Sequence, residues 1–384
     1  MQRDGQRFAG EQLEPCALAG DADLDQPAAI DDLERVAVPA VGQLRTRKDI
    51  RTLCCVTGQH RQMLDQVLSA FHVTPDYDLA IMKDGQTLFD VTTRVMEELK
   101  NVLAEAKPDL VLVHGDTTTT FAAALTCFYM QIPVGHVEAG LRTYQLDSPF
   151  PEEFNRQAVG VVVKYHFAPT EQARQNLLRE NKKPETIFVT GNTAIDALKT
   201  TVRADYQNPE LEWAKDSRLI LLTAHRRENL GEPMRAIFRA VRRIADEVPD
   251  IKVLYPVHMN PTIRALAQEI LGGDECIRLI PPMDVVDFHN MLARSDLVMT
   301  DSGGIQEEAP SLGKPVLVLR DTTERPEGVA AGTLKLVGTD EETIYREAKR
   351  LLTDEAAYHR MSIASNPYGD GQACRRIADI LEKD

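Results

Sequence analysis

The sequence predicts an α/β protein with two doubly wound parallel sheets. From about residue 108 onward, short runs rich in Val, Ile and Leu alternate with helical stretches. Strands that are apolar at consecutive positions are typical of parallel sheets covered by helices on both faces. The runs are too many for one sheet of usual size. A polar, weakly patterned stretch at 200–217 divides them, so we expect one sheet before it and one after it.

Each predicted strand is an apolar run that ends in a turn. In the first group the runs are "DLVLVHGD", "IPVGHVEAG", "YHFAP" and "TIFVTGN". In the second group they are "LILLTAHR", "KVLYPVH", "IRLIPP", "LVMTDSGG" and "PVLVLRD". Helical stretches separate them, including "TTTFAAALTCFYM", Glu232 to Glu247 and Pro261 to Leu271. Strands joined by helices are expected to run parallel, because a parallel pair needs a long crossover connection.

The first 47 residues do not fit this pattern. Met1 to about Ala40 is rich in Ala, Asp, Gln and Glu and has no convincing strand, although a doubly wound domain normally opens with a buried one. This composition is typical of a disordered or weakly helical arm. The regular pattern begins near Ile50, with "IRTLCCVTGQH". We therefore expect residues 1–47 to be an atypical N-terminal segment.

Composition narrows the class of protein. With 43% hydrophobic and 27% charged residues, the chain is typical of soluble globular proteins. It has no run of 18 or more apolar residues and no signal-peptide pattern, so neither a membrane partner nor secretion is expected. Six scattered cysteines are expected to be reduced thiols in a cytoplasmic protein. A net charge of −15 argues against nucleic acid as a partner.

The polar residues that follow the apolar runs are the first candidates for a functional site. In open parallel α/β sheets, ligands bind outside the carboxyl ends of the strands. The residues at these positions are Asp116, Glu138, Asn192, His225, His258, Ser302 and Arg320. The set is rich in acid, base and anion-binding side chains.

Three motifs of the second group are compatible with a phosphate ligand. In "TDSGGIQEEA", Ser302 can cap a helix whose amides attract an anion, and a nearby glutamate can accept hydrogen bonds from ribose hydroxyls. In "RDTTERPEG", Arg325 can neutralise a diphosphate. In "LTAHRRENLG", His225 among arginines suits phosphate contact or acid chemistry. Taken singly, they also fit a capped helix, a surface ion pair and a solvated basic patch.

Carboxylates of the first group predict acid–base chemistry. Asp116 and Glu138 follow successive strands, and "SPFPEEFNRQ" places Glu152 and Glu153 in a proline-bounded turn. Carboxylates whose pKa values are pushed apart by burial run acid and base steps at neutral pH. A single one would more often be a cap or a solvated charge. The sequence has no Ser/His/Asp order, P-loop or GxGxxG motif. It also has no HExxH motif, so no metal is expected.

Together the motifs resemble the non-hydrolysing UDP-N-acetylglucosamine 2-epimerases. The resemblance runs from about residue 48 to the C-terminus, in order and with compatible spacing. It is carried by "VHGDTTTTFAAAL", "GHVEAGLRT", "PFPEEFNRQ", "TGNTAIDAL", "TAHRRENLG", "YPVHMNP" and "TDSGGIQEEAPSLGKPVLVLRDTTERPEG". It implies two Rossmann-like domains facing a cleft, as in GT-B glycosyltransferases. These would be 48–198, completed by a C-terminal helix at 366–384, and a UDP-binding domain at 199–365.

The resemblance also implies a reaction. Members invert C2 of UDP-GlcNAc to give UDP-ManNAc without a cofactor. UDP is eliminated across C1–C2 to leave 2-acetamidoglucal, and then adds back with protonation on the other face. Members usually form homodimers, so a homodimer is expected here.

Residue roles carry over position by position from the family motifs. The implied catalytic set is Asp116, Glu138, Glu152 and His225. The implied substrate-binding set is Met283, Phe288, Ser302, Gly303, Gly304, Glu308 and Arg325. Part of an activator site found in many bacterial members is implied at Gln59, Gln62, Arg226 and His258. Which carboxylate removes the C2 proton stays open.

The N-terminus departs from the family pattern. Members open with a strand and the loop "GTRPEAIKMAP", which supplies an arginine and a lysine to the active site. Aligning Pro39 with its final proline puts Asp31 at the arginine position and Val36 at the lysine position. Two lost charge-assisted contacts, each worth roughly 1.5–3 kcal/mol, would weaken UDP binding. One alternative is therefore a catalytically impaired UDP-sugar-binding homologue. A separate alternative, distinguished by its product, is a hydrolysing epimerase or GT-B glycosyltransferase.

Overall fold

The structure is a computed structural model that describes residues 32–58, 61–83, 85–323 and 325–383. Its first elements are α1 (Asp32–Arg45), β1 (Cys55–Val56), α2 (Arg61–Ala70), β2 (Tyr77–Asp78) and α3 (Leu88–Ala106). The strands β1 and β2 form a separate two-stranded parallel sheet. Thr87 begins α3 with a capping box, because its hydroxyl accepts from the amide of Asp90 and the Asp90 carboxylate accepts from the amide of Thr87.

A four-stranded parallel sheet follows, with strands in the order of the chain. Its elements are β3 (Val111–His114), α4 (Thr118–Tyr129), β4 (Val134–Val137), α5 (Glu152–Val162), β5 (Tyr165–Ala168), α6 (Glu171–Arg179), β6 (Ile187–Val189) and α7 (Thr193–Thr201). Every residue of β4 and β5 is buried, as expected for parallel strands covered on both faces.

The second large sheet has six parallel strands. Its strands are β7 (Arg218–Thr223), β8 (Ile251–Pro256), β9 (Ile277–Ile280), β10 (Leu297–Thr300), β11 (Val316–Val318) and β12 (Leu334–Leu336). The helices are α8 (Pro209–Ala214), α9 (Glu232–Glu247), α10 (Pro261–Leu271), α11 (Val285–Arg294), α12 (Ile305–Ser311), α13 (Pro326–Ala331), α14 (Glu341–Thr353), α15 (Glu355–Ser362) and α16 (Ala373–Leu381).

The strand order of this sheet creates a crevice. The order is β12-β11-β10-β7-β8-β9, so successive strands grow away from β7 in one direction and then in the other. The carboxyl ends of β7 and β10 flank the point of reversal, where ligands bind in open α/β sheets. His225 follows β7 and Ser302 follows β10. The predicted fold class is confirmed, with parallel sheets in both halves of the chain.

The end of the chain returns to the first sheet. Helix α16 packs on α1 and α7, and Ile377 joins a core cluster with Val137, Tyr165 and Phe167. The Asp196 carboxylate of α7 accepts hydrogen bonds of 3.0 Å from the amides of Ala373 and Cys374 at the start of α16. The last helix is therefore structurally part of the first half of the chain.

Over residues 32–40, the expected disordered or weakly helical arm is instead part of a packed helix, α1. Val38, Ala40 and Leu44 are 5–6% exposed, and α1 packs against α7 and α16. Pro39 lies inside this helix. Residues 1–31, including Asp31, and the side chain of Val36 lie outside the described part. In the part that is described, no helix combines the length and the apolar character needed to cross a membrane.

Candidate functional site

Three predicted carboxylates lie at the carboxyl edge of the four-stranded sheet. Asp116 and Glu138 follow β3 and β4, and Glu152 is the first residue of α5. The turn after β4 is sharp, since Glu138 has φ +68° and Gly140 has φ +92°. A Cβ on Gly140 would lie 2.4 Å from the carbonyl oxygen of Ala173 in α6, so only glycine fits.

The carboxylate of Asp116 is held by α5. Its Oδ2 lies 2.5 Å from Nη2 of Arg156. The Asn155 side-chain amide also donates to the Asp116 carbonyl oxygen at 2.8 Å. Arg156 and Asn155 both follow Glu152 on the same helix, so α5 fixes two of the predicted carboxylates at once.

Glu153 has a structural role that separates it from Glu152. Its carboxylate is fully buried and accepts hydrogen bonds of 3.0 Å from the amides of Thr143 and Tyr144. It also accepts from the side chain of Gln157 at 2.8 Å. These bonds tie the loop after β4 to α5 and leave Glu152 as the glutamate of the pair that is available for chemistry.

Glu138 combines burial with negative neighbours. The pKa of its carboxyl group is raised to about 8, chiefly by burial and also by the charges of Glu307 and Asp116, against the opposing effect of Arg325 and Arg156. Glu307 and Arg325 belong to the second half of the chain. Glu138 is therefore a carboxyl group that carries a proton at neutral pH, at a place where both halves meet.

Glu152 also interacts with the second half of the chain. Burial raises the pKa of its carboxyl group, and the charge of Asp116 acts in the same direction. Arg156 and Arg226 lower it. Arg226 follows β7, so the structure brings the carboxylates of the first sheet close to the basic loop of the second.

His225 is positioned by a buried aspartate at the crevice. The Asp301 carboxylate, which is fully buried, accepts hydrogen bonds of 2.8 Å from the amides of His225 and Arg226. Its other oxygen lies 3.4 Å from Nδ1 of His225. Asn229 adds a third bond to Asp301 at 3.0 Å. Asp301 thus fixes the loop that presents His225.

The described part of the implied activator site adjoins this histidine. The rings of His225 and His258 stack with centroids 5.7 Å apart and an interplanar angle of 12°. The amide of Asn260 donates to Nδ1 of His258 at 3.0 Å, which directs the ring. Arg226 and His258 therefore lie beside a predicted catalytic residue. Gln59 and the side chain of Gln62 are outside the described part of the chain.

The Ser-Gly-Gly turn corrects the prediction that Ser302 caps the following helix. The N-cap of α12 is Gly304, which has φ −62° and makes no side-chain cap bond. The amide of Ser302 instead donates to the Thr300 hydroxyl at 3.0 Å. Ser302, Gly303 and Gly304 still form the turn between β10 and α12, directly beside the crevice.

Glu307 forms a buried ion pair within the second half of the chain and a hydrogen bond to the first half. Nε of Arg325 donates to its Oε1 at 2.7 Å, and the side chain of Asn192 donates to its Oε2. Burial raises the pKa of Glu307, whereas Arg325 and Asn192 oppose the rise. Asn192 also caps α7, because its Oδ1 accepts from the amide of Ala194. Arg325 is thus oriented by the carboxylate that α7 holds.

The remaining predicted binding residues lie on or next to α11 and α12. Glu308 is 1% exposed, with an Oε1 3.6 Å from Nε2 of His289. Phe288 is 5% exposed and packs in the core of the six-stranded sheet, with Met283 partly buried against the same cluster. The side chains of Glu308 and Phe288 are therefore buried within the second half, and that of Met283 is partly buried.

Sequence reasoning gave no role to several residues of this site. They are His114, Arg156, Asp301 and Glu307. The sequence did contain a signal for Asp301, because this residue lies between a predicted buried strand and the Ser-Gly-Gly turn. The other three act through partners distant in the chain, such as Asn192 and Glu307, which are 115 residues apart. Among described residues, no three His, Cys, Asp or Glu side chains form a cluster suited to a metal ion.

Comparison with known proteins identifies the family. Residues 42–382 match the profile of the family described as UDP-N-acetylglucosamine 2-epimerase. The chain belongs to this epimerase family. It is 61% identical to the UDP-N-acetylglucosamine 2-epimerase of Bacillus subtilis over 343 residues, which cover 89% of this chain and 90% of the relative.

Solved structures agree with this family membership. A UDP-GlcNAc 2-epimerase from Neisseria meningitidis bound to UDP-GlcNAc superposes with a TM-score of 0.86 at 46% identity, covering 91% of this chain and 97% of the other. An S. aureus protein solved with UDP gives a TM-score of 0.85 at 52% identity, with coverages of 91% and 93%. The α/β fold of this epimerase-family chain is thus that of its relatives.

Proposed function

We propose that this chain interconverts UDP-GlcNAc and UDP-ManNAc. Its membership of the epimerase family supports this, as do relatives that carry the activity in their names and one solved with UDP-GlcNAc. The structural observation that carries the proposal is the meeting of two sets of groups. Carboxyl groups of the four-stranded sheet interact electrostatically with Arg226, Glu307 and Arg325 of the second half.

Each set serves one part of the proposed reaction. Asp116, Glu138 and Glu152 supply the base that takes the C2 proton and the acid that returns one on the other face. Departing UDP carries the charge that develops when C1–O breaks, and cationic or amide groups stabilise such charge best when they are fixed in advance. His225, Arg325 and the turn 302–304 are the proposed partners of UDP.

We infer two domains that face a cleft. The first spans 48–198 and is completed by 366–384, which the packing of α16 on α1 and α7 supports. The second spans 199–365 and holds the six-stranded sheet. Helix α1, from the segment before residue 48, packs on this domain through α7 and α16. Glu308, Phe288 and Met283 are the proposed contacts of the uridine.

A catalytically impaired UDP-sugar-binding protein is the second candidate. The observation that favours it is the sequence at the family's cationic loop, where Asp31 and Val36 replace an arginine and a lysine. A hydrolysing epimerase or a glycosyltransferase would share the fold and differ in product.

Proton NMR of UDP-GlcNAc with the purified chain in D₂O tests the three readings. We expect UDP-ManNAc with deuterium at C2. Binding of UDP without exchange at C2 would support the impaired homologue. Free ManNAc and UDP would indicate a hydrolysing enzyme, and a sugar transferred to an added acceptor would indicate a glycosyltransferase.

We further propose that the chain forms a homodimer in the cytoplasm through α4 and α5. Their outer faces carry two adjoining apolar stripes, and the rings of Phe121 and Phe154 pack edge to face at 5.5 Å. Phe128 is 54% and Val161 74% exposed. Helix α4 contains no charged residue. Two copies that each carry a charge of −15 repel, so a face without charge suits self-association.

A further inference from the structure

His114 is a buried histidine beside Glu138. It ends β3, its side chain is 8% exposed, and its Nδ1 lies 3.8 Å from Oε2 of Glu138. Its other ring nitrogen, Nε2, lies 2.9 Å from the hydroxyl of Thr193, the first residue of α7. The ring is thus fixed at one nitrogen and presents the other to the carboxyl group.

The ring is neutral. Burial lowers the pKa of His114 to about 3, so one nitrogen carries a proton and the other has a lone pair. Within the described residues, Nδ1 of His114 is buried and has no hydrogen-bond partner. A buried polar atom without a partner costs free energy, which a small rotation of the Glu138 side chain toward Nδ1 would recover.

The surroundings of Glu138 determine whether its carboxyl group is protonated beside the neutral ring of His114. Four charged groups from other elements face it: Asp116 after β3, Arg156 of α5, Glu307 of α12 and Arg325 before α13. Two of these are anions and two are cations, so burial decides in favour of the protonated carboxyl group. A protonated carboxyl group needs an acceptor, and Nδ1 supplies one when Nε2–H donates to Thr193.

We propose that His114 is a positioning residue that accepts a hydrogen bond from the protonated carboxyl group of Glu138 and holds it as the general acid of the reaction. The proposal rests on the proposed epimerisation. It assigns the proton donor of the addition step. The O–H bond of Glu138 breaks, a C2–H bond forms, and the diphosphate oxygen of UDP bonds to C1, which leaves Glu138 ionised. The base that took the first proton is then Asp116 or Glu152.

The titration of Glu138 tests this independently of activity. With ¹³C-labelled glutamate carboxyl groups, the Glu138 resonance is the one missing in Glu138→Gln. In His114→Phe, the loss of the acceptor is expected to lower the midpoint by about one pH unit, the effect of one ordinary hydrogen bond. His114→Asn, whose Oδ1 replaces Nδ1, should recover most of the shift. His166→Phe is the matched control, since His166 is also buried with an unpartnered Nδ1, on β5 of the same sheet.

A second variant covers failure of His114→Phe to fold. Thr193→Val removes the acceptor of Nε2–H and allows the proton to move to Nδ1, where it favours the ionised carboxylate. The midpoint should again fall. An unchanged or higher midpoint in both folded variants would overturn the proposal, because it would mean that His114 does not accept from the protonated form.

The pH profile of kcat links the titration to the reaction. In the wild type, kcat should fall on the alkaline side of the profile as Glu138 ionises near pH 8. This alkaline limb should move to lower pH in His114→Phe. A uniform loss of kcat without movement of the limb would show a merely structural role. Absence of C2 exchange in the wild type would refute the proposed epimerisation, while the carboxyl titration would still decide the role of His114.

Discussion

At the scale of single residues, the three carboxyl groups of the first sheet differ in environment. Asp116 is paired with Arg156, Glu152 lies under the influence of Arg226, and Glu138 is surrounded by both signs of charge. Groups whose environments push their pKa values apart can divide acid and base roles between them. Glu153, in contrast, holds the amides of Thr143 and Tyr144 and so has a structural role.

Neutral isosteres of these carboxyl groups should therefore lower turnover and keep the fold. We expect Asp116→Asn, Glu138→Gln and Glu152→Gln each to reduce kcat by about 10²-fold or more, the usual contribution of a general acid or base. Measurement of epimerisation rates beside far-UV circular dichroism checks this. Glu171→Gln, on the exposed start of α6, is the control. Rates like the wild type in all three variants would refute the proposed set.

The raised pKa of Glu138 also predicts how stability depends on pH. The group ionises near pH 4.5 in the unfolded chain and near 8 in the folded protein, so the folded state binds its proton more tightly. Its contribution is fully present below about pH 4.5 and is lost as pH rises through 8. Glu138→Gln should therefore gain stability over the wild type between pH 5 and pH 9, as urea denaturation at each pH would show. A constant difference would contradict the raised pKa.

Arg325 supports the fold through Glu307 and is a proposed contact of the nucleotide. Arg325→Ala leaves Glu307 buried without its cation, and breaking a buried pair in this way costs about 3–5 kcal/mol. We expect a lower urea midpoint together with weaker UDP binding, measured by calorimetry. Adding Glu307→Gln should restore most of the stability and none of the binding. Arg235→Ala, from an exposed pair with Glu269, should leave both unchanged.

At the scale of elements, α7 connects the two halves at both of its ends. Asn192 at its start donates to Glu307. At its other end the Thr201 hydroxyl lies 2.7 Å from Nδ1 of His289 in α11, and the Asn290 side chain donates to the Thr201 carbonyl at 2.7 Å. His289 in turn lies 3.6 Å from Glu308. Helix α7 therefore contacts Glu307 directly at one end and Glu308 through His289 at the other.

The N-cap of α7 gives a test of this connection. Asp and Asn cap helices about equally well, and loss of a cap costs about 1 kcal/mol. Here Asn192→Asp would place a second carboxylate against buried Glu307, so it should destabilise the protein more than Asn192→Ala. Urea denaturation of both variants measures the difference. Asn260→Asp, at the partly exposed N-cap of α10, should be nearly neutral. Equal effects at the two positions would contradict the proposed constraint.

The elements show where sequence reasoning succeeds and where it ends. Strands such as Val111–His114 and Leu297–Thr300 were predictable, because consecutive apolar residues between turns define buried parallel strands. The packing of α1 was not, because its sequence contains Pro39 and no apolar strand pattern precedes it. The cap of α12 was also missed, since the helix begins two residues later than a Ser302 cap requires, with Gly304 at the N-cap.

At the scale of the whole molecule, the proposed acid–base carboxyl groups come from one half and the proposed anion-binding groups from the other. Their meeting could be anticipated only from family resemblance, because periodicity says nothing about how two sheets face each other. Direct bonds between the halves, such as that from the Thr170 hydroxyl to Glu327 at 2.7 Å, connect residues 157 positions apart. The site therefore depends on the relative placement of the sheets.

The proposed dimer is testable through its uncharged face. Phe128→Asp or Val161→Asp would place a charge on each copy at a contact that two-fold symmetry repeats, so the dimer should dissociate at least tenfold more readily. Sedimentation velocity over a range of concentrations measures this. Ile363→Asp, at a 65% exposed apolar residue after α15, is the control. A monomeric wild type, or variants that remain dimeric, would contradict the proposed face.

The return of α16 to the first sheet has a consequence for synthesis on the ribosome. Ile377 closes a cluster whose other members, Val137, Tyr165 and Phe167, are translated long before it. The whole six-stranded sheet is made in between. The apolar surface of the first domain that α16 covers therefore stays exposed during synthesis of the second domain. The second sheet, in contrast, already has all its strands when α16 emerges. Translation of the first domain thus begins before that of the second, but its assembly is completed only after the second has been translated.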